Sequence, residues 1–506
     1  MRQFFLSAAL WGAAAAALLV PGIAMGQSPV PPHDTGIPAG GYPLSLEEAA
    51  TILEQNNNAM KISRSTVEAA RARKQQLQAT WYPSIGATGG YIHFSNEITA
   101  DANMGELAQG ILQDLAGNAA GLEQLLQQLL PQLQQVVAGL SSATLSVPLV
   151  GKNVTSVDAV ALWPLITGGK RIYAGRIGNS LVESAGYLNT LTENGQRALM
   201  LNAYYTLKLA LQVEQMQQEN LQYIRKLQKN ALRLKEEGFI NKAEYLVVQV
   251  AADEASREYE STRQSTGVAA QALNAILGKE LSGIIPQGSF FTLDSIPPIS
   301  LISSRIMQYN PQLKILHAQG KILENKRKIA QSGYIPNFAL FARQNLHSNN
   351  IPKNLLPRTI VGVAMQWDLF DGLAREKEIQ AGRIEERQME YTTDQAEKDL
   401  LTAALALRGN MEDASYNMKT LRKSIILAEE LLREREKSFS EGMCTSTDVV
   451  AARTTLTKAR TALDLAGWQY CTSLANLLAL SADTGEFIRL HNTLNPTTAA
   501  RQQETR

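Results

Sequence analysis

Two cysteines occur in 506 residues, Cys444 and Cys471. If the helix pattern between them is continuous they stand about 40 Å apart at 1.5 Å per residue, which argues against an intrachain disulfide. Histidine is equally sparse. His33, His93, His317, His347 and His491 are scattered, with no HxxxH or HExxH spacing, so no metal site and no cofactor is expected. Neither charge sign is in excess, with 48 basic and 47 acidic residues, and a nucleic-acid binder would need a basic surplus. Aromatic residues make up 6% of the chain, while Ala, Leu, Gln and Glu are abundant. That is the composition of long helices rather than of a thick globular core. There is no G-x-S-x-G, no metal cluster and no redox pair, and Gly168-Gly169-Lys170 lacks the first glycine of a P-loop. An enzyme is therefore not expected.

Long apolar runs are missing too, except at the amino terminus. Arg2, the apolar stretch Phe4–Val20 and the small residues Ala24-Met25-Gly26 read as a signal peptide over 1–26, cleaved before Gln27. No cysteine follows that stretch, which excludes lipid attachment there. No later segment offers 18 consecutive apolar residues, so no helix is expected to span a bilayer. Any spanning part must be a β-barrel.

What the chain does contain is a duplication. Thr359–Arg375 (TIVGVAMQWDLFDGLAR) repeats Thr155–Arg171 (TSVDAVALWPLITGGKR). Trp163 matches Trp367, Leu165 matches Leu369, Gly168 matches Gly372 and Arg171 matches Arg375, always 204 residues apart. The spacing holds through Glu237-Gly238 and Glu441-Gly442 to Leu273 and Leu477. Upstream, Tyr82-Pro83-Ser84 aligns with Ile335-Pro336-Asn337 at a spacing of 253, and Asn56 pairs with Asn310 at 254. The change of spacing assigns roughly 49 extra residues to the first copy, between its two strands.

This divides the chain into a linker (27–44), repeat 1 (45–281), an inter-repeat linker (282–299), repeat 2 (300–483) and a polar, frayed tail (484–506). Each repeat reads as helix, proline, strand, strand, glycine turn, very long helix, second glycine turn and return helix. Ser45 caps the first helix, which runs to about Trp81. Its counterpart covers about Ser300–Gly333. The strands are expected at Ile85–Ser95, Thr155–Leu165, Asn337–Asn345 and Thr359–Phe370. Val157, Ala159, Ala161 and Trp163 share one face, as do Val361, Val363, Met365 and Trp367. An apolar face ending in Trp suits a lipid-facing strand at a membrane interface; a strand packed on a soluble core is the alternative. The insertion 97–148 is rich in Leu and Gln with helical spacing broken at Pro131, and leaves the strands at the end away from the helices.

The long helices run for about 67 and 69 residues, each on the order of 100 Å. The return helices are about half as long, so an opening and a return helix together match one long helix. The linkers then lie at mid-height. Four strands per chain cannot close a membrane barrel, for which about eight is the minimum, so several copies must share one.

In this duplicated order, with the turns EGFINKAEYL (237–246) and EGMCTSTDVV (441–450), the chain resembles the TolC-like outer-membrane efflux proteins from about Ser45 to Ser481. The resemblance implies a homotrimer with a shared outer-membrane β-barrel, set in outer membrane lipids with Trp163 and Trp367 at the interface, and continued by a periplasmic α-helical barrel. It implies a passive exit duct of a tripartite pump or type I secretion system, joined to an inner-membrane transporter by a periplasmic adaptor (membrane fusion) protein. A periplasmic coiled-coil scaffold without a pore is the competing reading. The resemblance places adaptor contacts at the tip turns 237–242 and 441–446, namely Gly238, Phe239, Ile240, Gly442, Met443 and Cys444. It places the constriction at Asp448, with Glu244 at the matching position. Cys444 stands where some members carry an Arg that locks the closed tip. Three copies of Asp448 around an axis would favour cations and raise the carboxyl pKa; an acidic side chain there also stabilises the first turn of the returning helix.

Overall fold

Asparagine caps and glycine stops cut this chain into elements of matched length. The computed structural model describes residues 41–95, 98–99, 148–150, 152–349 and 357–495. The expected signal peptide, most of the first linker, nearly all of the insertion and the last part of the tail lie outside the described residues.

Repeat 1 begins with β1 (Tyr42–Leu44), α1 (Leu46–Asn56) and α2 (Asn58–Gln78). Strands β2 (Ser84–His93) and β5 (Asn153–Ile166) follow, with β3 (Ile98–Thr99) and β4 (Pro148–Val150) as a short pair between them. Then come α3 (Lys170–Glu236) and α4 (Lys242–Leu277). Repeat 2 is β6 (Ile284–Pro286), α5 (Ile299–Tyr309), α6 (Pro311–Gln331), β7 (Asn337–Asn349), β8 (Thr359–Gln366), α7 (Ala374–Ser440) and α8 (Ser446–Leu480). A last helix, α9, spans Thr484–Leu494.

Three expectations need correction. The opening helix of each repeat is two helices. Asn57 leaves helical geometry at ψ 121° and its side chain caps Met60 N; Asn310 does the same at ψ 122° and caps Leu313 N. Their amide nitrogens donate to Ile276 O and Leu480 O, one at the end of each return helix. The true counterpart of Asn310 is therefore Asn57, not Asn56, and the upstream spacing is 253 throughout. The strand after residue 359 stops at Gln366 rather than Phe370. The residues after 484 are not frayed through Leu494, because α9 buries one side.

That burial belongs to the mid-height core, where both linkers arrive as expected. β1 pairs in parallel with β6. The buried Tyr204 hydroxyl lies 2.7 Å from Leu44 O and 3.0 Å from Gln287 O, tying the pair to α3. Thr484 of α9 donates to buried Asn194, Phe487 is fully buried, and the Tyr205 hydroxyl meets His491 Nδ1 at 2.8 Å. Burial, with the charge of Lys208 adding to it, lowers the His491 pKa to about 4. The ring is thus neutral and accepts from Tyr205. Cys471, whose Sγ donates to Phe291 O, has its thiol pushed up to about 12 by burial, which makes it packing rather than a reactive group.

Above this core the main sheet is antiparallel in the order β2-β5-β7-β8, four strands with β2 and β8 at its edges. Below it the long helices pair with their return helices. Leu227, Ala231 and Val248 from the first hairpin join Leu432, Val449 and Leu456 from the second in one buried cluster. Leu221, Ile224 and Ala231, spaced along one face of α3, are all buried. Among the described residues no helix is long and apolar enough to cross a membrane.

Candidate functional site

The glycine turns end each hairpin. α3 closes with Gly238 N donating to Lys235 O and Phe239 N to Leu234 O; α7 closes with Gly442 N to Phe439 O and Met443 N to Ser438 O. Both are Schellman stops, and they need the positive φ of Gly238 (82°) and Gly442 (72°). The turn pushes the next side chain outward, leaving Phe239 75% and Met443 70% exposed. One residue further on, Ile240 and Cys444 turn back onto the tip cluster. Cys444 Sγ donates to Arg435 O, and desolvation raises its thiol pKa.

Each return helix then starts from a side-chain cap. Asn241 accepts from Glu244 N at 2.9 Å. Thr445 and Asp448 form a reciprocal capping box: the Asp448 carboxylate accepts from Thr445 N at 3.0 Å and from the Thr445 hydroxyl at 2.7 Å. These hydrogen bonds hold the Asp448 pKa below the usual carboxylate range. Within one chain, then, Asp448 is a charged helix-starting residue, and the raised pKa expected from clustered copies has no counterpart in the single protomer. The two tips touch, since the buried Ser446 hydroxyl donates to the Glu244 carbonyl at 3.1 Å. Asp448 and Glu244 therefore sit at adjoining helix starts.

Trp163 and Trp367 stand about 100 Å away, at the other ends of the 67-residue helices. Both are partly exposed at strand ends. Their face of the sheet is apolar and open, with Val361, Val363 and Met365 each at least 60% exposed on edge strand β8. The opposite face is different. Asp158, the one charged residue of β5, is 3% exposed. It accepts from Arg343 at 2.7 Å and from its cross-strand partner Asn345 at 2.8 Å. This trio escaped sequence reading, although a lone Asp in an apolar strand and a lone Arg in the next were visible signals.

Arg171 and Arg375, matched in sequence without a role, fasten strands to helices. Arg171 stacks on Trp81 at 4.3 Å and donates to Leu165 O. Arg375 stacks on Tyr334 at 4.6 Å and donates to Asp368 O at 2.8 Å. Trp81 O in turn accepts from Trp163 Nε1 at 3.0 Å. Among the described residues no cluster of side chains could hold a metal ion.

The described residues thus form a four-stranded sheet with one apolar, exposed face, prolonged by two antiparallel helical hairpins. Residues 302–482 match the family model for outer membrane efflux proteins, so the second repeat carries that family's sequence. The fold agrees. The outer membrane protein VceC from Vibrio cholerae superposes with a TM-score of 0.66 at 13% identity, covering 87% of this chain and 96% of that one. The CmeC outer membrane channel of Campylobacter jejuni gives 0.67 at 11% identity, covering 90% of each chain. The open state of the Neisseria gonorrhoeae MtrE outer membrane channel gives 0.64 at 12% identity, covering 87% and 89%. No curated protein matches the chain.

Proposed function

We propose that three copies of this chain form a passive exit duct through the Gram-negative outer membrane, reaching into the periplasm. Channels of this family are trimers that work with adaptor proteins and inner-membrane transporters and do no chemistry themselves. The observation that carries the reading is the four-stranded sheet whose outer strands β2 and β8 pair on one side only among the described residues, with an exposed apolar face. Unpaired edges cannot sit in lipid, and a barrel closed by further copies removes them. A periplasmic scaffold has no use for the exposed band of Val361, Val363 and Met365.

In this reading Trp163 and Trp367 mark the periplasmic membrane interface, and the face that carries the buried Asp158–Arg343 pair turns away from lipid into the barrel interior. Residues 97–148 emerge at the cell exterior, because His93 and Asn153 are paired at the sheet end away from the helices. Gly238, Phe239, Ile240, Gly442, Met443 and Cys444 meet the adaptor. Three copies of Asp448, with Glu244 beside them, form the constriction. The protein is expected in the outer-membrane fraction, and its detergent-solubilised form is expected to have three times the chain mass by light scattering. A soluble periplasmic monomer would overturn the proposal.

A further inference from the structure

The two repeats are equivalent down to single pairings. Ser84 faces Leu162 and Asn337 faces Gln366; Ile85 faces Ala161 and Phe338 faces Met365. Gly178 packs on Lys74 as Gly382 packs on Arg327, a Cβ in either place lying 3.2 Å from the neighbour. Residues of the opening helices and first strands correspond at a spacing of 253, and those of the second strands and long helices at 204. The boundary between repeat 1 and repeat 2 inside the chain is therefore a template for the boundary between copies.

The internal boundary has four fixed points. β5 pairs with β7, with Trp163 opposite Leu340. Gly168 lies so close to the turn between α6 and β7 that a Cβ would be 2.6 Å from Ser332 O. Lys321 of α6 pairs with Glu183 of α3 at 3.3 Å. Lys314 of α6 stands 5.7 Å over the ring of Tyr187 on α3. At the outer boundary the equivalent residues are open among the described residues. Gly372, the equivalent of Gly168, has nothing within 4 Å of its would-be Cβ. Tyr391, the equivalent of Tyr187, is 65% exposed and lines an open groove with Gln312, Gln395 and Leu400. Arg387 and Glu68, the equivalents of Glu183 and Lys321, are exposed.

We infer that a second copy of this chain closes on this edge in the register of the internal boundary, with Trp367 opposite Ala87 of the partner subunit, Arg387 paired with Glu68 of the partner subunit, and Tyr391 under Lys61 of the partner subunit. The inference rests on the oligomeric duct proposed above and fixes its residue contacts. The lysine–tyrosine contact is kept in kind. The ion pair is kept with its signs reversed: acid on the long helix and base on the short one inside the chain, base on the long helix and acid on the short one between chains. The reversal selects the partner edge. The Arg387 edge attracts Glu68 and repels the Lys321 edge that already serves the internal boundary, so the two repeats alternate around the ring.

Paired cysteines test the register, in the full chain with Cys444→Ser to remove the half-buried native thiol at the tip. Ala87→Cys with Trp367→Cys should give disulfide-linked dimers and trimers on non-reducing gels, and either change alone should not. Glu68→Cys with Arg387→Cys should give the same ladder with a short bifunctional thiol reagent, independently of any disturbance in the strands. Linkage of Gly89→Cys with Trp367→Cys in place of the first pair, or no linkage by either pair in particles of trimer mass, would overturn the register. Particles of monomer mass would overturn the oligomeric duct itself.

Discussion

Replacing Phe487 by alanine is expected to destabilise the protein by about 3–5 kcal/mol, the range for an aromatic removed from a packed core. Phe487 is fully buried, edge-on to Tyr205 at 5.7 Å and tilted on Phe291 at 5.4 Å. It is the apolar anchor of α9. Ile488 and Leu490 pack partly buried against the same core, and polar ties run from Thr484 to Asn194 and from Asn492 to Glu47. Without the anchor, His491 and Tyr205 also lose their dry surroundings. The midpoint of helical circular dichroism on heating in detergent should fall by several degrees or more. An unchanged midpoint would show that α9 adds nothing to the mid-height core.

Asp158→Ala is expected to cost a similar amount, about 3–5 kcal/mol, by a different mechanism. The carboxylate is the charge partner of an Arg343 side chain that is 14% exposed, and Arg343 Nε has no hydrogen-bond partner. Removing the acid strands a buried guanidinium. The pair joins β5 to β7, so the loss falls on the boundary between the repeats. Heat-induced dissociation of the proposed trimer on gels should move to lower temperature. A companion variant, Asp158→Leu with Arg343→Met, should recover much of the loss, since a buried pair replaced by apolar groups of similar volume is often tolerated. Equal stability of Asp158→Ala and the parent would show that the pair is solvated and structurally idle.

Much of this architecture was legible in the sequence because duplication turns a weak motif into a measured spacing. The first long helix, Lys170–Glu236, was legible because no proline interrupts it and Gly238 stops it. The breaks at Asn57 and Asn310 were not, because only one residue leaves the helix and the apolar pattern is helical on both sides. Asn310 followed by Pro311, a cap before a proline at the first helical position, was the available clue. Helix α9 was missed because a polar terminal stretch hides its buried side, set by Thr484, Phe487 and His491 at helical spacing. At the candidate site, the glycine turns and the position of Asp448 were plain, but its capping box with Thr445 was read only as a first-turn charge. The Asp158–Arg343 pair lies 185 residues apart in the chain. Contacts of that kind arise from strand order, and local pattern does not contain them.

The proposed duct favours cations and is narrowed where the hairpins end at Gly238 and Gly442. Single-channel recording in planar bilayers tests it most directly, comparing the parent with Asp448→Asn, which keeps an acceptor for Thr445 N and removes the charge. A small cation-selective conductance in the parent that loses selectivity in the variant is the expected result. No channels from folded trimers, or channels whose selectivity ignores Asp448, would contradict the account.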